Sequence, residues 1–196
     1  MWLEGVKNTN NYLHVPAFIE NLEAAQLAQE FKKHCVKFNL QGDPQAPNSH
    51  SMYDFMPSVR LLVEKVPEVS ALLGEKVLPT YTYARVYKEG SELVRHRDRP
   101  ACEISLTLNL SKDVNWPIYF QRPDNSETSI ELEPGDAVMY LGCQSDHWRN
   151  KFEGRECVQL FMHYVRSYGT KSWAYFDKSQ QQQPTPPIEG IPKTIL

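Results

Sequence analysis

Residues 103–110 constrain the fold more than any other stretch of this sequence. Four aliphatic residues alternate there with four polar ones, in the order Glu103, Ile104, Ser105, Leu106, Thr107, Leu108, Asn109 and Leu110. A period of two is that of a β-strand, whose successive side chains point to opposite faces. We therefore predict a strand whose apolar face packs under helices and whose polar face lines a wet cavity between two sheets.

The rest of the chain divides into a helical first part and an extended second part. Apolar residues recur at helical spacing from Asn21 to about residue 38, and two shorter helices over 58–66 and 68–74 are separated at Pro67. Further strands are predicted over 81–87, 93–98, 118–121, 128–133, 137–141 and 157–165. This order indicates a mainly β fold with N-terminal helices. Its core is expected to be a double-stranded β-helix, or cupin-like jelly roll, with the helices packed on one sheet.

The chain length of 196 residues suits one domain over 1–177, with helical support at about 20–74 and the barrel at about 78–167. The remaining segment, 178–196, is rich in Gln and Pro and too poor in apolar residues to form a domain, so we expect an extended or disordered arm. The proline-rich segment 41–57 is predicted to be a loop, and loops of this length are often binding loops.

Composition narrows the class of partner. A net charge of -3 lacks the basic surface that dominates nucleic-acid affinity, so no nucleic-acid partner is expected. No apolar run approaches the roughly 20 residues of a membrane span, and the N-terminus lacks the layout of a signal peptide, so we expect a cytoplasmic protein with no membrane partner. The four cysteines form no CxxC pair and are interpreted as free thiols.

Three residues form a candidate metal site. His96 and Asp98 point to the same side if the segment between them is extended, and His147 adds a second imidazole about fifty residues later. Two imidazoles and one carboxylate can occupy one face of an octahedral metal and leave the other positions open, which is the ligand set expected for non-haem Fe(II). The other histidines whose spacing suggests no partner are predicted not to be ligands: His14, His34, His50 and His163.

Residues 79–167 resemble the Fe(II)- and 2-oxoglutarate-dependent dioxygenases, and most closely their prolyl 4-hydroxylase-type branch. The resemblance is carried, in order, by YTYARVYKEGSELVRHRD, EPGDAVMYLG and HWRNKFEGR. It implies that His96, Asp98 and His147 bind the iron. It also implies that a basic residue after the last histidine binds the distal carboxylate of 2-oxoglutarate. We favour Arg155 for that role, with Arg149 and Lys151 as alternatives.

Two further residues are expected at the co-substrate. Tyr87 matches the tyrosine that family members place in this pocket, nine residues before the first ligand, and Thr107 lies where some prolyl hydroxylases carry a tyrosine. Tyr53, Arg97 and Arg99 are candidate substrate contacts, because Tyr53 lies in the long loop and the arginines flank Asp98. No catalytic residue is expected beyond the metal ligands.

The resemblance implies an enzyme that couples decarboxylation of 2-oxoglutarate by O2 to hydroxylation of an unactivated C–H bond, with release of succinate and CO2. Ascorbate is expected to stimulate it. A prolyl or similar residue of a peptide or protein is the favoured substrate. The alternatives are a free amino acid or small metabolite as substrate, and a non-catalytic cupin-like barrel that binds a metal or ligand. Demethylases of alkylated nucleic acids are disfavoured, because their second arginine falls where this chain has Phe161.

Overall fold

A computed structural model describes residues 10–177, which form three helices, ten strands and two short 3-10 turns. The helices are α1 (Asn21–Phe38), α2 (Met56–Glu64) and α3 (Val66–Leu73). The strands are β1 (Tyr12–Val15), β2 (Ser49–Tyr53), β3 (Val77–Lys88), β4 (Leu93–His96), β5 (Ile104–Lys112), β6 (Ile118–Gln121), β7 (Glu127–Ile130), β8 (Ala137–Tyr140), β9 (His147–Arg149) and β10 (Glu156–Arg166).

The strands form two antiparallel sheets that face each other. The major sheet has the order β1-β8-β5-β10-β3-β2, and the minor sheet has the order β4-β9-β6-β7. Side chains from both sheets meet in the interior, where Phe120 of the minor sheet packs on Tyr140 of the major sheet. The helices cover the outer face of the major sheet. This arrangement confirms the predicted double-stranded β-helix with helices packed on one sheet.

Strand β5 separates a dry layer from a polar one, as its alternation predicts. Leu106 and Leu108 are fully buried in the cluster that includes Phe31 of α1 and Leu62 of α2. On the opposite face, the side chains of Ser105, Thr107 and Asn109 are also buried, but they point between the sheets and form hydrogen bonds there. The strand period therefore gives β5 a polar face toward the interior of the barrel.

Residues at the helix ends explain where the helices begin and end. Helix α1 ends at Asn39, whose left-handed backbone lets its N–H bond to carbonyls of the last turn. Lys65 separates α2 from α3, and Pro67 lies in the first turn of α3, where its missing N–H costs no hydrogen bond. No helix among residues 10–177 is both long and apolar enough to cross a membrane.

Two local expectations are corrected. The segment 41–57 is not a continuous loop, because Ser49–Tyr53 forms the edge strand β2 and pairs with β3 from Tyr87 to Tyr83. Its polar sequence, SHSMY, carries no strand signal. The segment can still form a strand, because at the edge of the sheet it needs only one hydrogen-bonded neighbour. Strand β4 stops at His96, and Asp98 is held instead by its backbone N–H, which donates to Gly142 at 2.9 Å. The predicted arm over 178–196 lies outside the described residues.

The packing of α1 on the major sheet can be tested with two phenylalanines on that helix. Phe31 has no exposed surface, whereas 53% of Phe38 is exposed. We expect Phe31→Ala to lower the free energy of unfolding by about 3–5 kcal/mol, because it leaves a cavity in the core. We expect Phe38→Ala to change it by less than about 1 kcal/mol. Urea denaturation followed by circular dichroism measures both, and equal losses would contradict the assigned packing.

Candidate metal centre

The three predicted ligands converge at one end of the barrel. His96 closes β4 and His147 opens β9, and the two residues lie directly opposite each other in the minor sheet, with ring centroids 4.3 Å apart. Asp98 extends from the loop after β4, so that its Oδ1 lies 3.6 Å from Nε2 of His96 and 3.7 Å from Nε2 of His147. The candidate ligand atoms all lie within 4.8 Å of one another. One ion can therefore reach all three side chains.

Backbone carbonyls fix the orientation of both imidazoles. Nδ1 of His96 lies 2.7 Å from the carbonyl of Val94, and Nδ1 of His147 lies 3.0 Å from the carbonyl of Ser145. Because a carbonyl only accepts, these contacts place the ring proton on Nδ1 and leave the lone pair of Nε2 facing Asp98. Two oriented imidazoles and one carboxylate fit an octahedral ion that is open on its other face, as Fe(II) requires.

The electrostatic environment favours the metal-binding forms of Asp98 and His147, whereas it favours the protonated form of His96. Burial opposes the charge of Asp98, but its contact with His96 and the nearby His147 and His163 hold the pKa of this carboxyl well below its usual range. Burial lowers the pKa of His147, so the imidazole stays neutral. The pKa of His96 is raised: burial lowers it, but the hydrogen bond to Asp98 and the contact with Val94 outweigh that effect.

A second layer of side chains supports the ligands. Ser105 donates to Oδ2 of Asp98 at 2.7 Å, and its Oγ lies 3.1 Å from Nδ1 of His163. The hydroxyl of Tyr140 lies 3.3 Å from Nε2 of His147 and 3.4 Å from Oγ1 of Thr107. Thr107 is therefore linked to the ligand His147 through the hydroxyl of Tyr140. The sequence predicted that Ser105 lies on the cavity face, but it assigned no role at the centre to Ser105, Tyr140 or His163, because no local motif marks them.

A cavity of about 220 Å³ opens beside the three ligands. Tyr53, Arg97 and Arg99, the predicted substrate contacts, all line it. Arg97 donates to Asp146 and Arg99 to Asp177, each at 2.6 Å. Aromatic side chains form much of the remaining wall: Tyr81, Tyr83, Tyr140 and Phe161.

Arg155 lies away from this cavity. Its side chain is 91% exposed and pairs with Asp113 at 3.3 Å on the outer surface, just before β10. The structure therefore does not bring Arg155 to the metal ligands. The surface position follows from the residue's place before β10 begins, which spacing alone does not reveal. Lys151, the other alternative, is also exposed.

Arg149 lies inside the barrel, two residues after His147 and on the same inward face of β9. It is 2% exposed, donates to the carbonyl of Trp116 and lies 3.4 Å from Oε1 of Gln159. Its Nε has no hydrogen-bond partner, and no carboxylate among residues 10–177 pairs with it. Burial lowers the pKa of this guanidinium, although an arginine remains charged at neutral pH.

Arg85 is a second buried guanidinium that sequence reasoning missed. It is 1% exposed, forms an ion pair with Asp43 and donates to the hydroxyl of Tyr87 at 3.0 Å. Tyr87 itself is fully buried beneath the cavity wall. Gln45 joins this network to the metal ligands, because its Oε1 accepts from Arg85 at 3.2 Å and its Nε2 lies 3.3 Å from Nε2 of His96. The sequence pattern that could have indicated the inward position of Arg85 is its alternation with Tyr81, Tyr83 and Tyr87 on one strand face.

No protein-family model matches this sequence, and no curated protein matches it. Solved structures do match. A prolyl-4-hydroxylase from Pseudomonas putida is 16% identical, with a TM-score of 0.67 over 85% of this chain and 99% of that chain. HygX from Streptomyces hygroscopicus, solved with nickel and 2-oxoglutarate bound, is 12% identical, with a TM-score of 0.67 over 87% of this chain and 88% of that one.

The epimerase SnoN from nogalamycin biosynthesis, described as non-heme and alpha-ketoglutarate-dependent, is 15% identical and has a TM-score of 0.69. That match covers 98% of this chain and 91% of SnoN. At such low identity the likeness concerns the backbone. This chain therefore has the double-stranded β-helix fold that a prolyl hydroxylase, HygX and SnoN share.

Proposed function

We propose that this protein is an Fe(II)- and 2-oxoglutarate-dependent oxygenase that hydroxylates an unactivated C–H bond and releases succinate and CO2. The observation that carries the proposal is the convergence of His96, Asp98 and His147 beside a cavity, with both Nε2 atoms facing the carboxylate. The fold supports it, because structures described with 2-oxoglutarate or as prolyl hydroxylases share this backbone. A cytoplasmic location and stimulation by ascorbate belong to the same proposal.

The chain's own residues would hold and shield the reacting groups. Bound Fe(II) supplies the O2 chemistry that no side chain can provide. Asp98 offsets part of the charge of the ion, and Ser105 holds this carboxylate in place through its hydrogen bond. Tyr140 keeps its proton, because burial raises its pKa well above the usual value, so it can donate beside His147. The aromatic part of the wall would limit the access of water to the reacting groups.

We propose that Arg149 binds the distal carboxylate of 2-oxoglutarate. A buried guanidinium without a carboxylate partner is costly, and an incoming carboxylate would supply two charge-assisted hydrogen bonds. Gln159 adjoins Arg149 and is itself hydrogen-bonded to Asn109, so its side-chain amide can contact the same ligand. Arg155 cannot fill this role from the outer surface.

The favoured substrate is a prolyl or similar side chain presented on a peptide. The rim supports this choice, because Tyr53, Arg97 and Arg99 line the cavity and remain partly exposed, where they can contact flanking peptide groups. A small metabolite is the second candidate. The cavity of about 220 Å³, with the Arg85 and Asp43 pair in its wall, favours that reading because a small charged molecule could contact either member of the pair.

Succinate formation separates these possibilities. Protein purified without oxygen is given Fe(II), 2-oxoglutarate and then O2, with a panel of proline-containing peptides or free amino acids. Stimulation by peptides supports the favoured substrate, and stimulation by small molecules alone moves the activity to the second candidate. Absence of succinate together with absence of Fe(II) binding would favour a non-catalytic barrel.

We expect His147→Ala to abolish stoichiometric Fe(II) binding and succinate formation, because it removes one of three protein ligands. His34→Ala is the control, since His34 lies on α1 against Phe38 and outside the barrel. Calorimetric titration with Co²⁺ as a redox-stable substitute measures binding, and circular dichroism checks that the barrel remains folded. Full binding and turnover in folded His147→Ala would refute the assigned ligand set.

Metal affinity should fall in acid, and its slope should approach that of a single proton once the pH is below the raised pKa of His96. Metal and proton compete for His96, whose pKa is raised, whereas His147 has a lowered pKa and is already neutral at neutral pH. Below the pKa of His96 each pH unit should weaken Co²⁺ binding about tenfold. A flat profile, or a slope of two protons, would contradict the electrostatic assignment.

Two arginines provide a matched test of co-substrate binding. We expect Arg149→Met to weaken 2-oxoglutarate binding at least about 30-fold, which corresponds to the roughly 2 kcal/mol lower bound for truncating a buried charge pair. We expect Arg155→Met to leave it unchanged, since that side chain is on the surface. Arg149→Met should not lower the thermal midpoint of the ligand-free protein, because it removes a buried charge that has no carboxylate partner. The reverse ranking of the two variants would restore Arg155.

A further inference from the structure

The cavity wall contains a second group of side chains able to hold a metal ion. Asp98, Cys102 and His163 each offer a ligand atom, and these atoms lie within 4.8 Å of one another. Cys102 and His163 are 2% and 6% exposed, yet both line the cavity. Neither of them belongs to the set formed by His96, Asp98 and His147.

Asp98 stands between the two groups. Its Oδ1 lies 3.6 Å and 3.7 Å from the Nε2 atoms of His96 and His147. Its Oδ2 accepts a hydrogen bond of 2.7 Å from Ser105, whose Oγ lies 3.1 Å from Nδ1 of His163. The two carboxylate oxygens thus contact different neighbours. A carboxylate in this position can bind two adjacent ions, one through each oxygen.

We propose that Asp98, Cys102 and His163 form a binding site for a thiophilic divalent cation such as Zn²⁺ or Cd²⁺, beside the candidate iron site and sharing Asp98 with it. The ligand chemistry differs from that of the neighbouring site, because a thiolate replaces one imidazole. Sulfur, nitrogen and carboxylate oxygen together are a donor set that zinc accepts, and soft thiolates select such ions.

The charges and the protons balance when the divalent ion binds. The thiol of Cys102 loses its proton to solvent as the bond from sulfur to metal forms, so one thiolate and one carboxylate neutralise the divalent ion. Neutral His163 contributes a lone pair. The hydroxyl of Tyr81 lies 2.9 Å from Sγ of Cys102 and can donate to the thiolate. Three protein ligands leave a fourth tetrahedral position open toward the cavity.

This proposal goes beyond oxygenase activity and does not depend on it. An ion at Cys102 and His163 would draw on the same carboxylate as the iron site. We therefore expect one equivalent of Cd²⁺ to weaken subsequent Co²⁺ binding at His96 and His147 at least tenfold. The same loss should not occur in Cys102→Ser.

The decisive experiment titrates the metal-free full chain with Cd²⁺ without oxygen and follows the ultraviolet charge-transfer band of a cadmium–thiolate bond. We expect a band that saturates at one equivalent and is absent from Cys102→Ser. Cys143→Ser is the matched control, because Cys143 lies near the same loop and is more exposed, with Sγ 3.4 Å from the carbonyl of Arg99. That variant should keep the band.

Two histidine variants complete the test. His163→Gln should keep the thiol but weaken Cd²⁺ binding at least tenfold, whereas His96→Ala should retain the band. The proposal is overturned if no band forms, if the band survives in Cys102→Ser, or if Cys143→Ser removes it. It is also overturned if His96→Ala weakens Cd²⁺ as much as His163→Gln does. Should Cys102→Ser fail to fold, the comparison of the two histidine variants decides the matter.

Discussion

Charge buried inside a barrel must find a partner, and this requirement organises the interior of the protein. An unpaired ion in a low-dielectric interior costs several kcal/mol, so each buried ionic group needs hydrogen bonds or an opposite charge. Asp98 meets this requirement through Ser105 and two histidines, and Arg85 meets it through Asp43 and Tyr87. Arg149 is the exception among the buried arginines, since it has only neutral acceptors.

The sheets provide the geometry in which these groups can meet. Because each strand sends alternate side chains inward and outward, the major sheet can be sealed by helices on one side and remain polar on the other. The minor sheet then places His96 opposite His147 at its open end, and β9 continues inward to Arg149. One candidate ligand, His147, and the buried cation Arg149 are therefore positioned by the same short strand.

Much of this architecture could be predicted from the sequence. The alternation of residues 103–110, the helical spacing after Asn21 and the HxD pair with a later histidine each depend on residues that are close in the chain. The structure places His96, Asp98 and His147 together as expected. What could not be predicted depends on where each strand starts and which strand it meets. Arg155 and Arg149 look equivalent in sequence, yet only β9 carries its arginine inward.

The same limit explains the other residues that were missed. Arg85 is paired with Asp43 across a sequence separation of 42, and Ser105 meets His163 across 58. No local sequence pattern indicates such pairings, because they depend on strand register. They also depend on the edge strand β2, whose polar composition does not indicate a strand.

Binding of an anion at Arg149 would couple the stability of the fold to the concentration of that anion. A ligand that binds only the folded chain raises its stability by RT ln(1 + [L]/Kd), which is about 2.7 kcal/mol at a hundredfold excess over Kd. An anion that pairs with this guanidinium would also remove the cost of burying it alone. If that anion is a central metabolite such as 2-oxoglutarate, then the fraction of the protein that escapes unfolding and proteolysis rises and falls with the supply of its own co-substrate.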